Sequence, residues 1–232
     1  MGNKNLILPE NQNILAVFAH PDDDIFGPSG MILTLCEKGN LVFEIFVTNG
    51  EAGTNQKTGK KEKDLGEKRK KEAQKSAYLM GVKDVFFLDF DDGSLSNNIY
   101  HQVSEKIEKI INKINPSVFL TYEPRGVSGH VDHFFTSMVV SFLASKLKKK
   151  VFYYCLSKEQ RQFIKDYFIF FPEGYSEEEI DLKLNVEKYR EKKEKLIKIH
   201  ETQVKDGDMV LKNMKKQRPL IENFLVRDFS NE

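Results

Sequence analysis

Three consecutive carboxylates, Asp22-Asp23-Asp24, follow His20 and Pro21 directly after the apolar run Ile14-Leu15-Ala16-Val17-Phe18. An apolar run of that length, ended by such a cluster, reads as a buried strand that stops abruptly in a polar loop. Adjacent aspartates repel one another and are costly beside a core, so the cluster calls for a counter-charge. A divalent cation with His20 as co-ligand supplies one economically. A solvated acidic turn ahead of a helix, where Asp caps are common, would use the same residues without chemistry. A second segment, Gly129-His130-Val131-Asp132-His133, decides between these readings. The chain has five histidines, three of them in these two segments, a concentration that favours a His/Asp metal site over scattered core histidines. Catalytic zinc commonly takes three protein nitrogen or oxygen ligands and keeps a position for water. The two segments supply that many and leave acid/base groups to spare, although spacing alone does not divide the roles among Asp22, Asp23 and Asp24.

Residues more than a hundred positions apart share a site only if the fold brings them together. After the first strand, Pro28-Ser29-Gly30 opens a helix with Met31, Ile32, Leu35 and Cys36 at helical spacing, closed by Lys38-Gly39-Asn40. Leu41 to Thr48 then reads as a strand, and this strand-helix-strand unit predicts parallel neighbours joined by a right-handed crossover. Residues 49–63 form a long polar loop, of the kind that is usually functional or mobile. Asp64 with Glu67 looks like a capping box for a charged surface helix, Leu65 to Met80, stopped by Gly81. Val85 to Asp89 is a third strand, and Ile99, Val103, Ile107, Ile110, Ile111 and Ile114 line one face of a helix ended by Asn115-Pro116. Ser117 to Thr121 makes a fourth strand. The second histidine motif follows, and Val131, Phe134, Phe135, Met138, Val139, Phe142 and Leu143 predict a strongly amphipathic helix before a fifth strand, Val151 to Cys155.

These units predict an α/β fold: a three-layer, doubly wound, Rossmann-like sheet, mainly parallel, with additional C-terminal strands and helices. In such folds ligands sit beyond the carboxyl ends of the strands, where strand order reverses. The first and fourth strands are neighbours there in the common 3-2-1-4-5-6 order, so both histidine motifs fall at one place. Farther on, Phe168 to Pro172 reads as an edge strand and Asp181 to Val186 as another. Glu187 to Thr202 reads as a helix with Tyr189, Leu196 and Ile199 inside and its charges on a solvated face.

With 232 residues and ordinary globular composition, a single domain over 1–232 is expected. A net charge of +1 gives no general reason to expect nucleic acid as partner. The residues before Ile14 lack a signal-peptide core and no run approaches the roughly 18 apolar residues of a membrane span, so a cytoplasmic protein without membrane attachment is expected. Cys36 and Cys155 look like small core residues, with no disulfide expected. A dinucleotide-binding oxidoreductase fails at the first strand-helix turn, where Phe26-Gly27-Pro28-Ser29-Gly30 has no phosphate-cradling glycine pattern.

The two histidine motifs, in this order and context, resemble those of the LmbE/PIG-L-like zinc-dependent deacetylases, which act mostly on N-acetylglucosaminyl conjugates. The resemblance extends through Thr48-Asn49-Gly50-Glu51-Ala52-Gly53-Thr54, Arg69, Glu72, Leu79-Met80-Gly81-Val82 and Asp92-Gly93, and more loosely through His200-Glu201-Thr202-Gln203 and Glu222-Asn223-Phe224. It implies zinc ligands His20, Asp23 and His133, with Asp22 as the general base for a water that attacks an amide carbonyl. By the same resemblance, His130 as an imidazolium steadies the oxyanion or protonates the amine, and Asp132 holds His130 in the right tautomer. Arg69, Asp92 and Glu51 would bind the amino-sugar substrate. Iron(II) or another divalent ion also suits a two-histidine, one-aspartate set. Two departures stand out: Asp24 replaces the usual glutamate, and Val131 the commoner proline. An amidase on another acylated amine or thiol conjugate is the alternative enzyme. A silent sugar-binding module would have no use for Asp22 and His130. Homo-oligomerisation is left open.

Overall fold

The apolar runs become strands covered on both faces, as parallel strands must be. The structure, a computed structural model, describes residues 6–162 and 172–231. Five strands, β1 (Asn13–Phe18), β2 (Leu41–Thr48), β3 (Asp84–Phe90), β4 (Val118–Tyr122) and β5 (Lys150–Cys155), pair in parallel. Two more, β6 (Leu182–Asn185) and β7 (Ile221–Asp228), join antiparallel, giving the order β3-β2-β1-β4-β5-β7-β6. The order therefore reverses between β1 and β4, as the strand-helix pattern predicts. The described helices are α1 (Asp23–Phe26), α2 (Ser29–Glu37), α3 (Leu65–Met80), α4 (Tyr100–Ile114), α5 (Val131–Lys146), α6 (Lys158–Arg161), α7 (Arg190–Ile197) and α8 (Val204–Lys216). None is long and apolar enough to cross a membrane.

Alternation along the strands builds two core layers. Ile14, Ala16, Phe18, Val42 and Phe46 pack on the side of α2 and α7, while Leu15, Val17, Ile45, Val47 and Phe119 pack against α4 and α5. Gly81, at φ 90°, ends α3 and donates its N–H to the Ala77 carbonyl, the left-handed close that glycine permits.

Several expectations change. The capping box at Asp64 does not form: no side-chain cap is made, Asp64 pairs with Lys68 at 3.1 Å, and Glu67 pairs with Lys70 at 3.2 Å. The helix α5 is less one-sided than its apolar spacing predicts, because Val131, Met138 and Phe142 are exposed while Asp132, His133, Thr136 and Ser137 are buried. The predicted helix over 187–202 is broken into a 3-10 turn (Glu187–Tyr189), α7 and a second 3-10 turn (Glu201–Gln203). Its charges are not all solvated, since Arg190 and Lys193 are buried. Of the expected edge strand over 168–172, only Pro172 lies within the described residues, and it is not in a strand.

His200, in the break after α7, is 1% exposed, with Nε2 at 3.1 Å from Ser76 Oγ. Burial, reinforced by the nearby Arg69 cation, lowers its pKa to about 3. Between the ordinary value of 6.5 and that depressed one, the unfolded chain binds a proton that the folded chain refuses, so stability falls as pH falls. The loss is about 1.4 kcal/mol per pH unit. Urea unfolding of the wild type and His200→Gln between about pH 6 and pH 4 should show a slope shallower by close to that amount in the variant. Equal slopes would contradict a neutral, buried His200.

Candidate metal centre and active-site cavity

Neighbouring strands β1 and β4 deliver the two histidine motifs to one end of the sheet. His20 Nδ1 lies 3.2 Å from His133 Nε2 and 3.6 Å from Asp23 Oδ2, and His133 Nε2 lies 3.1 Å from Asp23 Oδ1. The remaining ring nitrogens face outward acceptors. His133 Nδ1 is 3.0 Å from the Gly126 carbonyl, and His20 Nε2 is 3.0 Å from Asp92 Oδ1 and 3.3 Å from Asp132 Oδ2. With those nitrogens donating, His20 Nδ1, His133 Nε2 and the Asp23 carboxylate turn lone pairs toward one another. Three such donors call for a cation, and tetrahedral ligands about 2.0 Å from zinc are themselves roughly 3.3 Å apart, which these separations match. The donor set therefore fits zinc or iron(II).

Other groupings of His20, His130 and His133, or of His20, Asp92, His130 and Asp132, also lie within 4.8 Å. In the second of these Asp92 and Asp132 face His20 Nε2, and His130 Nδ1 accepts the Asp132 N–H at 3.1 Å. The site's demand for positive charge is visible in His20: burial works against its protonation, yet Asp132, Asp23 and Asp92 hold its pKa well above the ordinary value.

Asp22 points at a different partner. Its Oδ2 lies 2.9 Å from Arg69 Nη2, with both side chains buried, and Arg69 Nη1 donates to the Gly50 carbonyl at 2.9 Å. Gly50 has φ 66°, and a Cβ there would run into the guanidinium, so this close approach requires glycine. Burial pushes the Asp22 carboxyl up to about 7, while Arg69 pulls the other way. The expectation that Arg69 binds sugar hydroxyls is thus joined by a nearer contact, to the candidate base itself.

His130 is the N-cap of α5. Because its Nδ1 accepts the Asp132 N–H, its proton resides on Nε2. Burial, with the charges of His20 and His133 adding, lowers its pKa to about 4. His130 thus presents an N–H donor at Nε2. The expected role of Asp132 divides in two: its backbone sets the His130 tautomer, while its carboxylate accepts the Gly93 N–H at 2.8 Å and faces His20. Asp92, also facing His20, is held by its own N–H donating to Glu51 Oε1 at 2.7 Å. Glu51 stands behind Asp92 and is not among the residues lining the cavity.

The sequence profile of a family described as "PIG-L: GlcNAc-PI de-N-acetylase" matches residues 15–143. The chain belongs to the PIG-L family. A probable N-acetyl-alpha-D-glucosaminyl L-malate deacetylase 2 of Bacillus cereus is 34% identical over 144 residues, covering 60% of this chain and 64% of that protein. The match thus spans less than two thirds of that relative. The solved N,N'-diacetylchitobiose deacetylase of Pyrococcus horikoshii superposes with a TM-score of 0.70 at 20% identity, over 94% of this chain and 84% of that one. GalB, a 4-carboxy-2-hydroxymuconate hydratase from Pseudomonas putida, gives a TM-score of 0.70 at 15% identity, over 93% and 95%. The fold is thus shared with proteins described by different reactions, and the side chains must decide the chemistry.

In this PIG-L chain the candidate metal centre opens into a cavity of about 350 Å³, within the range of small-molecule sites. Several of its supports are not apparent from sequence. Glu123, buried directly after β4, accepts the Arg125 N–H at 2.7 Å and the Val127 N–H at 2.9 Å, and receives the Tyr175 hydroxyl at 2.6 Å. It thereby holds the loop that presents His130 and His133, including Val127 at φ 59°, a conformation costly for a β-branched residue. Tyr122 donates its hydroxyl to the Asp23 carbonyl at 2.7 Å.

Also in the cavity lining, Lys193 pairs with Glu222, whose oxygens accept the Gly30 and Met31 N–H groups at 2.8 and 2.7 Å. Glu222 thus caps the first turn of α2. A Cβ on Gly30 would lie 2.7 Å from that carboxylate. The 49–63 loop is anchored by Gln56, which donates to Asp206 at 2.6 Å and accepts the Lys205 N–H at 2.8 Å at the start of α8. Asp24 and Glu44 are fully buried with no hydrogen-bond partner among the described residues. Burial, with the charges of Asp22 and Asp23 adding, pushes Asp24 well above the carboxylate range, and burial with the charge of Asp24 does the same for Glu44. The signal for these supports is polarity inside otherwise apolar strands, as at Glu44 in β2 and Glu222 in β7.

Proposed function

We propose that this chain is a metal-dependent hydrolase that removes the N-acetyl group from an N-acetylglucosamine-type sugar or conjugate, working as one domain over 1–232 in the cytoplasm. The observation that carries the reading is the convergence of His20 Nδ1, His133 Nε2 and the Asp23 carboxylate beside a buried Asp22–Arg69 pair on one cavity wall. His20, Asp23 and His133 would hold zinc or iron(II). When bound, the metal supplies Lewis acidity that polarises an amide carbonyl and makes water a nucleophile near neutral pH. Asp22 takes the proton from the attacking water at its carboxylate and delivers it to the departing amine. A carboxyl near 7 is poised for both transfers. His130 offers Nε2–H to the oxygen on which negative charge develops, where a pre-aimed donor is effective. Asp132 and Asp92 orient His20, and Arg69 positions Asp22. Asp92 and Arg69 also line the cavity where sugar hydroxyls would lie. The titratable Asp22 distinguishes this reading from a binding module, which has no need of a base at that place.

The pH dependence tests the Asp22–Arg69 pair. Arg69 lowers the Asp22 pKa, so Arg69→Met raises it, and the acid limb of kcat/KM should move to higher pH by roughly one to three units. A pH–rate profile with an unmoved limb would remove Arg69 from this role.

Acetate release from N-acetylglucosamine, diacetylchitobiose, and malate- and inositol-linked N-acetylglucosamine tests the activity itself. Release from at least one by the metal-loaded protein is expected. No release from any, despite one metal per chain, would overturn the deacetylase reading.

A further inference from the structure

The cavity has two chemically different halves, and sheet order separates them. On the β2–β3 side of the metal centre its wall is polar, with Arg69, Asp92 and the Gly53 backbone. On the β5–β7 side Leu156, Leu220 and Ile221, with Met209, Val210 and Met214 from α8, supply the apolar surface, beside Asn213 and the mutually paired Lys193 and Glu222. The apolar half begins at the metal centre, where the Tyr122 ring stands edge-on to His133 at 4.9 Å and lies 5.8 Å from Tyr154. Its far end is closed by Gln160 Nε2, which donates to Gln217 Oε1 at 3.2 Å and to the Ile221 carbonyl at 2.8 Å.

An amide has two arms, and its carbonyl must lie beside His20, Asp23 and His133. The amine arm carries sugar hydroxyls and belongs with Arg69 and Asp92. The carbon chain on the other side of the carbonyl then faces Tyr122, Tyr154 and the apolar wall. An acetyl methyl would touch little of that wall, whereas a longer chain would be desolvated along it, against methionines that adapt to its shape.

We propose that the apolar half is an acyl pocket and that this chain hydrolyses N-acyl amino sugars whose acyl group is a medium-length aliphatic chain, in preference to acetyl. The inference rests on the amide hydrolysis proposed above. Water adds to the carbonyl carbon, the C–N bond breaks, the water's proton passes through Asp22 to the amine, and the products are a fatty carboxylate and the free amino sugar. Each methylene buried in the pocket raises kcat/KM roughly two- to fourfold, until the chain meets the Gln160–Gln217 closure.

The test is kcat/KM of the metal-loaded full chain for N-acetyl-, N-butanoyl-, N-hexanoyl- and N-octanoylglucosamine, read as free amine. The expected result is a rise from acetyl through hexanoyl, and Val210→Trp should lower the hexanoyl-to-acetyl ratio roughly tenfold. A rate that is flat or falls from acetyl onward would overturn the acyl pocket while leaving deacetylation intact. Calorimetric binding of the same compounds to Asp22→Asn protein separates the two ideas. If no amide is cleaved, the proposed hydrolysis falls, but tighter binding of hexanoyl than acetyl still supports the pocket, and equal or weaker binding overturns it.

Discussion

Asp22→Asn is expected to lower acetate release by about 10³-fold while leaving metal content unchanged. Asparagine keeps the shape and can still accept a hydrogen bond from Arg69, which also holds the Gly50 carbonyl at 2.9 Å. It cannot take a proton from water, and a positioned general base contributes typically 10²–10⁴-fold. The two readouts must be taken on one preparation. Full metal with rate within tenfold of wild type would remove Asp22 as the base. Loss of metal would instead make it a ligand, in competition with the His20–Asp23–His133 assignment.

His133→Ala should empty the site. It deletes one of three converging donors and leaves His20 Nδ1 and Asp23 without their 3.2 and 3.1 Å neighbour. Because removing an outer hydrogen-bond partner of a ligand alone costs roughly 10–100-fold in affinity, loss of a ligand itself should exceed roughly 100-fold. Metal analysis after gel filtration should find the variant empty and inactive, and dichroism should find it folded. Retention of a full equivalent would exclude His133 as a ligand. Wild-type affinity should also weaken as pH falls, since protons compete for the same imidazoles and carboxylate.

Much of this architecture is legible in the chain because parallel strands covered on both faces are continuous apolar runs. The runs at 14–18, 41–48, 117–121 and 151–155 announce themselves, and their alternation with helices predicts the reversal between β1 and β4 that brings the motifs together. The C-terminal third is harder. In β7 the buried Glu222 and Asn223 interrupt the apolar pattern, and each is polar for a reason that lies elsewhere: Glu222 in the N-terminus of α2, and Asn223 in its bond to Gln160 at 2.7 Å. Lys193, 3% exposed, looks like any surface lysine until Glu222 is placed beside it. At the site the residue types are legible and their division of labour is not. Which of two groups on Asp132 meets His130 depends on the turn at the start of α5, and Arg69 shows its tie to Asp22 only once α3 is packed. Tertiary contacts between distant polar residues leave no periodicity to read.

The central claim is that one metal held by His20, Asp23 and His133 is required for amide hydrolysis. The measurement that tests it most directly is acetate release as zinc or iron(II) is added back to chelator-stripped protein. The account predicts negligible release at the start, a linear rise, and a plateau at one ion per chain. Full activity in the stripped protein, or a plateau that needs a second ion, would contradict it.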